Sequence, residues 1–236
     1  MSNIVKVKVQ RINDISPEKR FLVDELTIVD RFELKRDLPI LKSMCNTIID
    51  GKRTGGNLSV VDLSTCSIAS EFGYYVVNPD TWGNMKDCIS LKKISLPSKT
   101  HFYNNAGEGF SGCKSLESIS IIGNEFPEPN KYCGRSFDID GVLYIRRGSE
   151  KILVKYPANK GNEYTLPNDV TSISSCAFED SHLIKLIMPS VPPTCQEDAF
   201  KGVNMVVMTL VVPKGSHDSY WLHPVYGKFN IEEITD

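Results

Sequence analysis

Two stretches of this sequence repeat one pattern. Cys88-Ile-Ser-Leu91-Lys-Lys-Ile94-Ser-Leu96 superposes on Cys113-Lys-Ser-Leu116-Glu-Ser-Ile119-Ser-Ile121 at an offset of 25 residues, and the Cys, the Leu and both aliphatic strand positions are kept. The core L-x-x-Φ-x-Φ, with Φ aliphatic, returns as Leu183-Ile-Lys-Leu186-Ile-Met188-Pro189 and as Val207-Met-Thr-Leu210-Val-Val212-Pro213, 24 residues apart. Leu58-Ser-Val-Val61-Asp-Leu63 is an earlier copy, and Leu26-Thr-Ile28 a partial first one. In Φ-x-Φ the apolar side chains share one face of a short strand and the intervening residues take the other. One such strand cannot bury its face alone, so the copies must stack into a parallel sheet backed by a continuous aliphatic column.

A second element recurs between the strands. Gly109-Phe110-Ser-Gly112-Cys113, Ala177-Phe178-Glu-Asp180 and Ala199-Phe200-Lys-Gly202 each set a small residue and a Phe just ahead of the next strand. The Phe is expected to plug the convex side of each coil, and its small neighbour lets backbones approach closely. Repeats of 20–29 residues fall in the leucine-rich-repeat range. The expected fold is therefore a strand-rich α/β leucine-rich-repeat solenoid, with a short parallel sheet on the concave face and an irregular convex side.

These motifs resemble the BspA-like leucine-rich-repeat proteins of bacterial surfaces, whose repeat reads roughly I-P-x-x-V-T-x-I-x-x-x-A-F-x-x-C-x-x-L-x-x-I-x-I-P. Leu166-Pro167-Asn-Asp-Val170-Thr171-Ser-Ile173-Ser-Ser-Cys-Ala177-Phe178 follows it closely, then reaches Leu183 one residue short. The family Cys ahead of Leu is matched by Cys88 and Cys113, and Asp180 is read in its place in the later copy. Asp140-Gly141-Val-Leu-Tyr144 with Leu153-Val-Lys-Tyr156-Pro157 is similar to the family's hairpin insert. The two ends are similar to its caps. The resemblance implies a surface or secreted protein, commonly lipid-anchored, that binds rather than catalyses. The chain opens at Met1 on an alternating strand pattern (Ile4, Val5, Val7, Val9), not on a signal-peptide apolar region or lipobox cysteine.

One domain over residues 1–236 is expected, since no low-complexity linker interrupts it. Residues 1–63 read as an N-terminal cap: an edge strand, then a helix over about Leu38 to Ile49 with Asp37 as its cap and Pro39 in its first turn, then a loop from Gly51 to Asn57. Residues 64–123 hold two clean repeats and an aromatic insertion. Residues 124–163 form an irregular insert whose hairpin turns at Asp140-Gly141. Repeats resume over 164–213, and 214–236 close the core with Tyr220, Trp221, Tyr226 and Phe229.

Composition excludes several functions. The net charge is -2 and Lys and Arg form no blocks, which argues against nucleic acid as a partner. No apolar stretch approaches the ~20 residues that span a bilayer. The seven cysteines (45, 66, 88, 113, 133, 176 and 195) include no C-x-x-C, so buried, inert thiols are expected, with a secreted disulfide framework as the alternative. Gly107-Glu-Gly109-Phe-Ser-Gly112 spells G-x-G-x-x-G but leads into a strand instead of a helix, so its glycines are turn residues and no nucleotide cofactor is expected. Asp138-Ile-Asp140-Gly141 lacks the remaining ligands of a calcium loop. His101, His182, His217 and His223 make no zincin pattern, and a metal shared by His217 and His223 is the remote alternative to cap packing. No catalytic residue is assigned.

The useful surface is the outer side of the strands. Lys93, Ser95, Ser118, Ser120, Lys185 and Ile187, with Thr209 and Val211, project between the buried positions and are the expected partner-binding residues. Tyr74, Tyr75 and Trp82 are a second candidate patch, because exposed aromatics are favoured anchors. The function expected is non-catalytic binding or adhesion to a protein or glycan. An intracellular scaffold of the same fold is the alternative, and a hydrolase using Cys133 or His182 a distant third.

Overall fold

The computed structural model describes residues 4–69, 76–77, 85–98, 100–102, 106–123 and 134–234. Its first sheet is a parallel ladder of β1 (Lys6–Val9), β2 (Glu25–Ile28), β3 (Val60–Asp62), β4 (Lys93–Pro97) and β5 (Ser118–Ile122), in chain order. The register follows the repeat. Val7, Leu26, Val61, Ile94 and Ile119 stand side by side. All but the edge residue Val7 are buried. Leu58, Leu91 and Leu116, which lead the repeats, are completely buried below them. Each coil therefore hides its neighbour's aliphatic row, at roughly 1.5–3 kcal/mol per fully buried side chain.

The helix of the N-terminal segment, α1 (Leu34–Met44), starts four residues before the expected Leu38 and ends before Ile49. Pro39 thus lies inside it. Asp37 still caps, but from within the helix: its buried carboxylate accepts the Glu33 N–H at 2.8 Å and pairs with Arg36 at 2.6 Å. Leu38, Leu41, Met44 and Cys45 form the buried face expected from the periodicity, but Ile48, expected with them, lies beyond the helix end and is 47% exposed. Ile48–Ile49 and Lys52–Arg53 pair antiparallel where the sequence suggested helix end and loop. The cause is a two-residue turn, Asp50-Gly51, with both φ angles positive (+49° and +74°).

Next comes an antiparallel unit of β6 (Arg135–Ile139), β7 (Val142–Arg147) and β8 (Glu150–Lys155). Its first turn is Asp140-Gly141, again with both φ positive (+49° and +75°). β7 and β8 are buried on both faces, which explains why Val142-Leu-Tyr-Ile and Ile152-Leu-Val read as unbroken apolar runs. Leu143, Ile145, Ile152 and Val154 enter one hydrophobic core; Val142, Tyr144 and Leu153 enter another. The hairpin is a wall between two cores. Its turn docks on the edge of β5, where Ile119 N–H donates to Gly141 O at 2.9 Å and Ile121 N–H to the Asp138 carboxylate at 2.7 Å. A Cβ on Gly141 would lie 2.3 Å from Ser118 Oγ, so only glycine fits.

Then β9 (Glu163–Thr165), β10 (Ser172–Ile173), β11 (Lys185–Ile187), β12 (Thr194–Cys195), β13 (Thr209–Val212) and β14 (Asn230–Glu233) follow in chain order. β10 and β12 extend the hairpin sheet from β8, while β9, β11, β13 and β14 make a second parallel ladder. The second core is aromatic. Phe178 and Phe200 stack at 4.8 Å with ring planes 2° apart, Phe229 meets Phe200 edge-on at 4.8 Å, and Tyr156 flanks Phe178 at 5.5 Å. Tyr220 and Tyr226 are buried, their hydroxyls donating to Pro189 O and Pro193 O. Trp221 does not join them. It sits in the short helix α2 (His217–Trp221) and is 59% exposed, because Tyr220 takes the inward position of that turn.

The turns also correct the repeat alignment. Gly112, Asp180 and Gly202 all have positive φ, and each precedes the residue that closes the Phe turn; Asp87, also at positive φ, stands two residues after Met85 as these do after Phe. Cys113, Ser181 and Val203 donate their N–H to the carbonyls of Phe110, Phe178 and Phe200. Ser181, not Asp180, therefore takes the cysteine's place, and the missing residue falls after it. The G-x-G-x-x-G segment is a short 3-10 helix, Ala106–Phe110, leading to β5. A Cβ on Gly107 would lie 2.4 Å from Val154 O, so this glycine is required by packing against the wall.

Candidate binding faces

Because the strands are in register, their outward side chains form rows. On the first ladder one row is Lys6, Glu25, Val60, Lys93 and Ser118, and the other is Lys8, Thr27, Asp62, Ser95 and Ser120. On the second ladder the rows are Glu163, Lys185, Thr209, Asn230 and Thr165, Ile187, Val211, Glu232. All are exposed or half-buried. Within a row the spacing is that of paired strands, about 4.8 Å. Neighbours along a row pair: Lys6 with Glu25 at 2.8 Å, Lys185 with Glu163 at 3.6 Å, and Asn230 Nδ2 to Thr209 Oγ1 at 3.1 Å.

The sequence-predicted residues fall on these rows but divide between two ladders. Lys93, Ser95, Ser118 and Ser120 lie on the first; Lys185, Ile187, Thr209 and Val211 on the second. The Asp140-Gly141 turn interrupts the series, lying directly against Ser118. The first group is polar, three serines beside Lys93, whereas Ile187 and Val211 make the second partly apolar. Tyr74, Tyr75 and Trp82 lie outside the described residues.

A polar cleft of about 630 Å³ opens away from these rows, lined by Glu108, Glu150, Ser172, Ser175, Thr194 and Asp198 among others. Sequence reasoning missed it because its residues come from segments separated by up to 90 positions, with no motif joining them. Ser175 Oγ lies 2.7 Å from the Asp198 carboxylate and 3.2 Å from that of Glu108. Behind it Lys155 is buried, its Nζ donating to Cys176 O at 2.8 Å and standing 3.8 Å from Glu179. Burial lowers the Lys155 pKa, against the pull of Glu179. Burial alone would raise that of Glu179, but the Ser111 hydroxyl and the Lys201 and Lys155 ammonium groups outweigh it and hold the carboxyl below its ordinary value.

The surroundings of Cys66, Cys88, Cys113, Cys176 and Cys195 each raise the thiol above its ordinary value. Burial pushes Cys66 and Cys195 up to about 12. Cys176 is raised by burial and by Glu179. Cys88 gains from a hydrogen bond with Cys113, yet its bond with Cys45 and its burial hold it well above the usual thiol range. A nucleophilic cysteine needs the opposite environment. Cys133 lies outside the described residues. His223 packs at a tilt against Tyr226, ring centroids 4.3 Å apart, and its Nδ1 accepts the Val225 N–H at 3.2 Å, which occupies the lone pair a metal would need. His217 instead faces Asp218 and Trp221. His182 is exposed. Among the described residues no group of three or more His, Cys, Asp or Glu side chains is arranged to hold a metal.

The family model "BspA type Leucine rich repeat region" matches the chain in six copies, over residues 84–136 and 156–217. No curated protein matches the chain. Among solved structures, a leucine-rich repeat protein from Eubacterium ventriosum is similar at 19% identity and a TM-score of 0.44, over 82% of this chain and 49% of that one. The pneumococcal vaccine antigen PcpA is similar at 15% identity and a TM-score of 0.39, over 81% of this chain and 54% of that one. The chain thus spans about half the length of each. No helix among the described residues is long and apolar enough to cross a membrane.

Proposed function

With residues 84–136 and 156–217 belonging to the BspA-type leucine-rich repeats as premise, we propose that this protein is a non-catalytic binding or adhesion protein of the cell surface. In this reading the ladders line the concave side of one solenoid domain, residues 1–63 and 214–236 are its caps, and the outward rows recognise a protein or glycan partner. The observation that carries the reading is the register: chemically simple side chains repeat every ~4.8 Å across each ladder, a geometry suited to many weak contacts along an extended partner. The inert thiols support it from the other side. So does the fold type, since repeat proteins use such continuous faces for binding.

The test is a screen of the purified protein against matrix proteins and glycans, followed by Lys93→Glu and Lys185→Glu. Each substitution is expected to weaken binding about tenfold, roughly 1.4 kcal/mol, without lowering Tm. Undiminished binding by both variants, or substrate turnover abolished by one substitution, overturns the reading. Surface labelling of whole cells tests the location, and label confined to lysed cells overturns that part.

A further inference from the structure

We propose that copies of this chain stack head to tail, the last strand of one pairing in parallel with the first strand of the next. Among the described residues β1 and β14 each have one unpaired edge, at opposite ends of the strand series. At β1 the carbonyls of Val5 and Val9 accept the N–H groups of Glu25 and Val29, so the peptide groups of Lys6 and Lys8 turn outward. At β14 the Ile234 N–H donates to Val212 O, so Asn230 and Glu232 face β13 and the peptide groups of Ile231 and Glu233 turn outward.

Continuing the ladder by one strand sets Asn230 beside Lys6, Ile231 beside Val7 and Glu232 beside Lys8 of the next copy. In this register the outward peptides of one strand meet those of the other. Ile231 and Val7, both half-buried at their edges, extend the aliphatic row. Glu232 then faces Lys8, and neither is committed to an ion pair among the described residues. The chain already contains the pairing this creates, in Lys6–Glu25 at 2.8 Å between neighbouring parallel strands.

The surroundings agree. The first coil exposes Ile4, Val5 and Leu22, and the last exposes Trp221, Leu222 and Ile234. The charge complement lies within the chain's own edge strands, Lys6 and Lys8 on β1 and Glu232 and Glu233 on β14, which selects a second copy as the occupant. An unpaired edge is a template for strand addition, and a lysine on it ordinarily acts as a guard; here it has a carboxylate partner one chain away. The contact is heterologous, so the stack stays open-ended unless its rotation closes a ring.

Sedimentation velocity over a range of concentrations tests this. The mass is expected to climb from the 26.4 kDa monomer past the dimer, and to fall back as salt is added. Lys8→Glu and Glu232→Lys should each weaken association tenfold or more. An equimolar mixture of the two variants, in which every contact is again opposite in charge, should restore it. A monomer at every concentration, a plateau at the dimer, or indifference to the charge reversals overturns the proposal. Circular dichroism of each variant confirms that the exposed substitutions leave the fold intact.

Discussion

The two cores of this chain are built behind similar strands and filled by different side chains. In the first, Cys88 and Cys113 occupy the position ahead of the leading Leu, Cys45 of the helix side contacts Cys88, and aliphatic residues fill most of the rest, with Phe32, Phe102 and Phe110 among them. In the second, the corresponding positions hold Ser181 and Val203, and the space goes to a run of rings from Tyr156 through Phe178 and Phe200 to Phe229. Strand spacing is thus set by backbone pairing in both, while the filler sets how strongly one coil depends on the next. Small thiols link repeats only by weak hydrogen bonds, as Cys113 Sγ does to Met85 O at 3.0 Å. Stacked rings make each coil the wall of its neighbour's site. Between them the hairpin serves both, giving alternate side chains to each.

The largest way to break this contrast is Phe200→Ala, which removes the ring shared by Phe178 and Phe229. A loss of about 3–5 kcal/mol is expected from urea unfolding. Hydrogen exchange should show the amides of β11 and β13 losing protection before those of β3 to β5; equal loss in both ladders would mean the cores are one cooperative unit. A smaller effect is tied to pH. Because the folded-state pKa of Glu179 is lowered, its contribution is complete above the ordinary carboxyl value of 4.5 and lost as pH falls through the lower folded value. Glu179→Gln should therefore flatten the decline of the urea midpoint between pH 5 and 3, and an unchanged slope would show that other carboxylates carry it. The smallest effect is expected at the far end. Trp221→Ala, at low protein concentration, should stay within about 0.5 kcal/mol of wild type, since its ring is mostly in water. A Tm drop of many degrees would make Trp221 part of the lid after all.

Much of this was legible in the residues, and the failures are local. The Phe turns, the Asp140-Gly141 hairpin and the buried rows follow from short patterns whose physics acts within a few residues. The helix start was misread because Asp37 and Pro39 look like a cap and a first turn. Only the reach of Asp37 back to Glu33 N–H shows that the helix begins earlier. The one-residue deletion was assigned to the wrong side of Asp180, because its left-handed backbone, shared with Gly112, is invisible in a pattern of apolar letters. The cleft at Ser175 has no local signature at all.

By itself the sequence determined the repeating strand, its inward and outward sides and the parallel pairing, since a two-residue alternation at a near-constant period admits one way to bury its apolar face. Only the tertiary structure decided that the expected surface is two ladders instead of one, that a hairpin buried on both faces separates two cores, that Trp221 stays in solvent, and that residues far apart in the chain share a polar cleft. These depend on distances between segments many residues apart. Local propensity and periodicity carry no information about such distances; packing does.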